Sequence, residues 1–138
     1  MSAAHRFHLR AYYEDTDASG VVYHASYLRW FERARTEWLR GQGGGHEAWM
    51  RELGVAFTVS ALEVRYLKPV RLDAELEVQT RVVERKRARL VFEQRLLGAQ
   101  APQLLHATAR VTVACVDLLR FRPRALPELL LGDDVRIA

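Results

Sequence analysis

The sequence of 138 residues contains one cysteine, Cys115. That excludes an internal disulfide and any multi-cysteine zinc site, and Cys115, inside an alternating apolar stretch, reads as a buried structural thiol. No apolar run approaches the length of a membrane span, and Met1 to His5 lacks the apolar core of a signal peptide. A cytoplasmic location is the expectation. No internal repeat, low-complexity tract or linker interrupts the chain. Neither sign of charge dominates: 21 Lys plus Arg stand against 17 Asp plus Glu, a formal +4 that modestly attracts anions. The basic residues are scattered except around Arg81 to Arg89 and Arg120 to Arg124. No helix-turn-helix, zinc-finger or aromatic RNA-binding signature accompanies them, and a small phosphorylated ligand fits the modest excess as well as nucleic acid does.

What is present is ordinary globular material, 49% hydrophobic and 28% charged, enough for one domain over residues 1–138 and too little for two. The strongest periodicity lies in the region from Ser26 to Gly41. Tyr27, Phe31, Ala34 and Trp38 recur at helical spacing with Leu28 and Leu39 beside them, while Arg29, Glu32, Arg33 and Glu37 take the other faces. This predicts a helix of roughly four turns with one buried face, capped by Ser26 and stopped at Gly41 in a left-handed conformation. His46 to Leu53 reads as a short helix stopped by Gly54.

Elsewhere the period is two. Phe7, Leu9, Ala11 and Tyr13 alternate with His8, Arg10 and Tyr12, predicting a first strand. Phe57, Val59 and Ala61 give way to Leu62, Val64 and Tyr66, a change of inward face that predicts a bulge between Ala61 and Leu62. Leu76 to Val82 predicts another strand, Glu84 to Arg89 a hairpin turn, Ala88 to Leu96 a strand, and Leu105 to Cys115 a long last one. Leu126 to Leu131 reads as a short terminal helix. One long helix and about five strands with one apolar face each make an α+β domain, an antiparallel sheet curved around that helix.

Between the first strand and the helix lies Asp15-Thr-Asp17-Ala-Ser19-Gly20. It resembles half an EF-hand, but Ser26 occupies the twelfth position, where a bidentate carboxylate is required, so no metal is expected. Two readings stay open. In one, Asp15, Asp17, Ser19 and Gly20 shape an Asx-type turn. In the other, Asp17 is a base or nucleophile near the free N–H groups of a helix start, which can also bind an oxyanion. No nucleophile elbow, cysteine–base pair or His-Glu zinc motif competes. His5, His8, His46 and His106 read as surface or satisfied polar residues, whereas His24 lies at the helix approach.

The stretch Tyr12 to Tyr27, followed by Phe31-Glu-Arg-Ala-Arg-Thr-Glu-Trp-Leu39, resembles the signature of the hot-dog-fold acyl-CoA thioesterases. It is most similar to the Tol-Pal-associated acyl-CoA thioesterase branch of the 4-hydroxybenzoyl-CoA thioesterase family. The likeness continues through Leu62 to Pro69, Leu72-Asp73, Leu90 to Gln94, Val113 to Asp117 and Pro123 to Pro127, departing at Ser19, where the branch has glycine, and at Ser26, where it has asparagine.

The resemblance implies a hot-dog fold, paired protomers with sites at their interface, and Asp17 as the catalytic carboxylate, either general base or nucleophile. It implies substrate contacts at Gly20, Tyr23 and His24, with a main-chain N–H at or near His24 polarising the thioester carbonyl. Asp15 becomes supporting. The implied substrate is a short- to medium-chain or aromatic acyl-CoA, or an acyl group on acyl carrier protein, hydrolysed without metal or redox cofactor in lipid metabolism. Arg85, Lys86, Arg87 and Arg89 are the candidates for the coenzyme A phosphates, against a reading as a solvated hairpin tip, with Arg122 and Arg124 behind them. A homodimer or homotetramer is implied. The alternatives from other classes are a non-catalytic acyl-CoA or partner-binding module and a hot-dog enoyl hydratase.

Overall fold

The computed structural model describes residues 4–131. In chain order these form β1 (His5–Arg10), a single 3-10 turn (Tyr13–Asp15), α1 (His24–Arg40), α2 (His46–Leu53), β2 (Val55–Tyr66), β3 (Glu75–Lys86), β4 (Arg89–Gly98), β5 (Leu105–Asp117) and the four-residue α3 (Glu128–Leu131). The five strands make one antiparallel sheet in the order β1-β3-β4-β5-β2. β1 and β2 are its two edges. The expected bounds 1–3 and 132–138 of the chain lie outside the described residues.

The helix packs on the sheet because their apolar periods meet. Tyr27, Trp30, Phe31, Ala34 and Trp38 of α1 are buried, and so are Leu76, Val78 and Val82 of β3 with Leu90, Phe92 and Leu96 of β4. Trp38 meets Phe92 edge-on at 5.2 Å between ring centroids. Fully burying each such side chain contributes about 1.5–3 kcal/mol. One polar knot lies within this interface. Gln94, 1% exposed, donates to the Phe31 carbonyl (2.9 Å) and the Thr80 hydroxyl (3.0 Å), and accepts from the Arg35 guanidinium (3.0 Å).

The structure differs from the sequence reading at several boundaries. α1 begins two residues before Ser26, with Tyr23 as its extended cap (φ −71°, ψ 141°), and Ser26 is a buried helical residue whose N–H donates to the Tyr23 carbonyl. Gly41 ends the helix in a right-handed conformation, φ −65°, so no left-handed stop occurs there. Gly54 does take the left-handed φ of 65° after α2. β1 ends at Arg10, since Tyr13 enters the 3-10 turn. The bulge in β2 falls between Val59 and Ala61, a step earlier than expected. The expected turn over Glu84 to Arg89 shrinks to Arg87 and Ala88, because a second bulge between Val82 and Glu84 lets β3 run on to Lys86. The terminal helix starts at Glu128, after Pro127. Cys115 is buried as expected, and burial pushes its thiol pKa up.

Candidate active site

The loop from Thr16 to Val22 is a small hairpin of its own. The Gly20 N–H donates to the Asp17 carbonyl (3.1 Å) and the Asp17 N–H to the Val21 carbonyl (2.9 Å), with a bridge between Thr16 and Val22 closing the base. Gly20 sits at φ 78°, a conformation a side chain would strain. The hairpin is fastened to the β2–β3 connection: Val21 bridges Arg71, the Val22 N–H donates to the Val70 carbonyl (2.8 Å), and the Leu72 N–H to the Gly20 carbonyl (3.3 Å).

This placement separates the two acidic residues by role. Asp15 accepts the Tyr12 N–H on its carboxylate (2.8 Å) and the Tyr23 N–H on its carbonyl (2.8 Å), so it organises the backbone on both sides of the hairpin. Asp17 is exposed, and its Oδ1 accepts from the Ser19 hydroxyl (2.5 Å) and the Ser19 N–H (2.8 Å). The hydroxyl first, then the N–H, hold its carboxyl below the usual aspartate range. The Asx turn of the first reading is therefore present, with the hydroxyl and the N–H of Ser19 both on Oδ1 of Asp17.

Tyr23 and His24 follow directly. Tyr23, 61% exposed, caps α1, and the N–H groups of His24 and Ala25 head the helix without a hydrogen-bond acceptor among the described residues. The imidazole of His24 packs on the Tyr66 ring at 4.4 Å, and the Tyr66 hydroxyl donates to the His24 carbonyl at 3.4 Å. Asp17, Gly20, Tyr23 and His24 thus share one end of the sheet. Their arrangement suits addition of water, or of the carboxylate itself, to a carbonyl whose oxygen lies on the free N–H groups.

The basic hairpin is elsewhere. Arg85, Lys86, Arg87 and Arg89 lie at the far end of β3, roughly 35 Å from its start at the rise of a strand. Lys86 and Arg89 each approach Glu84 at 3.6 Å. Within one protomer these residues do not meet Asp17. The sequence reading missed a nearer basic group: Lys68 and Arg71, with Arg10 and His106, line an open groove of about 760 Å³ alongside the Asp17 hairpin. The signal was the run Arg65-Tyr-Leu-Lys68-Pro-Val-Arg71, a basic connector after a strand. A smaller cavity of about 80 Å³ opens between α1 and β2, lined by Glu32, Thr36, His46, Phe57, Val59 and other side chains. There His46 contacts the Thr36 hydroxyl (3.3 Å), and burial pushes its pKa down. His8 pairs with Glu77 at 3.0 Å, whereas the buried Nδ1 atoms of His5 and His106 have no hydrogen-bond partner among the described residues. No cluster of potential metal ligands exists among the described residues, and no helix there is long and apolar enough to cross a membrane.

A long helix against a five-stranded antiparallel sheet, with an acidic hairpin at the helix start, defines the hot-dog class of thioesterase-like proteins. Residues 13–133 match the model of the thioesterase-like superfamily, and the chain belongs to that family. It is 48% identical over 128 residues to the acyl-CoA thioester hydrolase YbgC of Escherichia coli O157:H7, with 93% of each chain covered. It is likewise 48% identical to the acyl-CoA thioesterase YbgC of Haemophilus influenzae, with 88% of each covered. Among solved structures, a probable thioesterase from Bartonella henselae superposes with a TM-score of 0.83 at 36% identity, covering 91% of this chain and all of that one.

Proposed function

We propose that this protein hydrolyses the thioester of short- to medium-chain or aromatic acyl-CoA. The observation that carries the reading is the Asp17 carboxylate, held by Ser19 on a hairpin that runs straight into the unpaired N–H groups of His24 and Ala25. Water adds to the thioester carbonyl as Asp17 accepts its proton, or Asp17 itself adds to form an anhydride that water then opens. The developing oxyanion rests on the helix-start N–H groups, and the thiol leaves with a proton. The two YbgC relatives support this activity.

The reading includes a homo-oligomer paired through β2. Among the described residues that strand has one edge without a neighbour along its 12 residues, and Val59 and Leu62 on it are each 46% exposed. Antiparallel pairing of two β2 edges sets the Val55 end of one protomer beside the Tyr66 end of the other. Arg89 pairs with Ala114, which pairs with Thr58, so the basic hairpin belongs to the Val55 end. The partner copy's Arg85 to Arg89 thereby approach the Asp17 site and serve the phosphates of coenzyme A, or the phosphopantetheine of an acyl carrier protein. We assign the whole chain to one domain acting in the cytoplasm.

The test is thiol release from short, medium, long and aromatic acyl-CoAs by the wild type and Asp17→Asn. Loss of about 100-fold or more in kcat with folding retained is the expected result. The Asx turn around Asp17 also suits a non-catalytic binder, and acyl-CoA binding without thiol release from the wild type would establish that reading instead.

A further inference from the structure

β5 ends in a turn that displays apolar side chains. Leu119 is 94% exposed and Phe121 71%, the two most exposed large hydrophobics apart from Tyr13 among the described residues. The turn is tightly built. The Asp117 carboxylate accepts the N–H groups of Leu119 (2.9 Å) and Arg120 (3.1 Å), the Phe121 N–H donates to the Asp117 carbonyl (2.8 Å), and the Asp117 N–H donates to the Arg122 carbonyl (2.9 Å). These bonds hold Phe121 at φ 53°, a conformation that a bulky side chain rarely takes and that persists only where its surroundings impose it.

The residues between and beside the apolar tips are cationic. Leu118 to Arg124 contains three arginines and no acid. Arg124 is engaged with Asp117 at 3.4 Å, whereas Arg120 and Arg122 make no ion pair among the described residues. The chain then returns to the basic hairpin, where the Leu126 N–H donates to the Arg87 carbonyl (2.8 Å). The result is a convex knob of alternating apolar and cationic side chains bordered by further positive charge. A protein partner would need a groove shaped to that knob. An anionic bilayer accepts it without one, since apolar tips enter the interface while guanidinium groups bond lipid phosphates in a forked geometry.

We propose that the Asp117–Arg122 turn is a reversible anchor for an anionic membrane surface, with Leu119 and Phe121 inserting and Arg120 and Arg122 binding phospholipid phosphates. The experiment is co-sedimentation of the full chain with vesicles of phosphatidylcholine alone or mixed with phosphatidylglycerol. Binding to the mixed vesicles, weakened by salt, is expected, and little binding to phosphatidylcholine. Leu119→Ser with Phe121→Ser should lower partitioning at least tenfold, and Arg120→Gln with Arg122→Gln should remove the preference for anionic lipid. Circular dichroism and the urea-unfolding midpoint of both variants check folding, and the lipid result stands whether or not the hydrolytic reading does. Equal partitioning of wild type and variants overturns the anchor. So does complete displacement by excess coenzyme A, which would make the arginines a nucleotide subsite, or a shift in oligomeric state caused by the serine variant, which would make the knob a contact between copies.

Discussion

At the scale of single residues, the candidate chemistry turns on how Ser19 treats Asp17. Its hydroxyl and N–H both lie on Oδ1, and both favour the ionised form. A carboxyl with a depressed pKa stays charged through neutral pH and is lost only as pH falls through the lowered value. The acid limb of kcat/KM is therefore expected below the ordinary aspartate range. Ser19→Ala removes the hydroxyl donor and keeps the N–H, so the limb should move up toward that range, with neutral-pH turnover changed by no more than about threefold. A pH–rate profile of the two proteins checks this, and an unmoved limb would mean that another group controls it. The sequence reading named Asp17 as the base or nucleophile and Asp15 as supporting, without a local physical reason for the difference. The backbone gives one, because Asp15 is spent on Tyr12 and Tyr23 while Asp17 faces outward.

At the scale of elements, legibility followed the range of the forces involved. The strands were readable because burial on one face imposes a period of two, and β3 and β5 appear where that period predicted. The start of α1 was not, although its stop at Gly41 was. Ser26 has the chemistry of a cap, but the chain is already anchored at Val21 and Val22 by the distant Arg71 and Val70, which lets the helix start early. Nor did periodicity announce Gln94 as the centre of the helix–sheet interface. Its amide satisfies Phe31, Thr80 and Arg35 together. Gln94→Leu leaves the Arg35 guanidinium buried without that acceptor, and a loss of roughly 3 kcal/mol in urea unfolding is expected, against little effect from a substitution at exposed Arg95.

At the scale of the whole molecule, the site described in one protomer is half a site in the hydrolytic reading. The Asp17 hairpin and the basic hairpin stand at opposite ends of the same sheet, and the proposed twofold pairing of β2 edges would bring one to the other. Leu62→Lys places a charge in the middle of that edge. Sedimentation equilibrium should show a shift to monomer, with hydrolysis lost while the circular dichroism of the fold remains. A monomer that hydrolyses normally would place all the necessary groups in one chain. Sequence could not show this geometry, since distance along β3 becomes distance across the molecule only once the sheet is assembled.

The fastening of the Thr16 to Val22 hairpin has a mechanical meaning. One stretch of chain, from Val70 to Leu72, grips the hairpin just ahead of the helix, and the helix continues from it without slack. The Asp17 carboxylate and the free N–H groups of the helix start therefore share one continuous, doubly anchored stretch of backbone. The separation between the Asp17 carboxylate and the helix-start N–H groups is thus set by backbone hydrogen bonds rather than by side-chain packing.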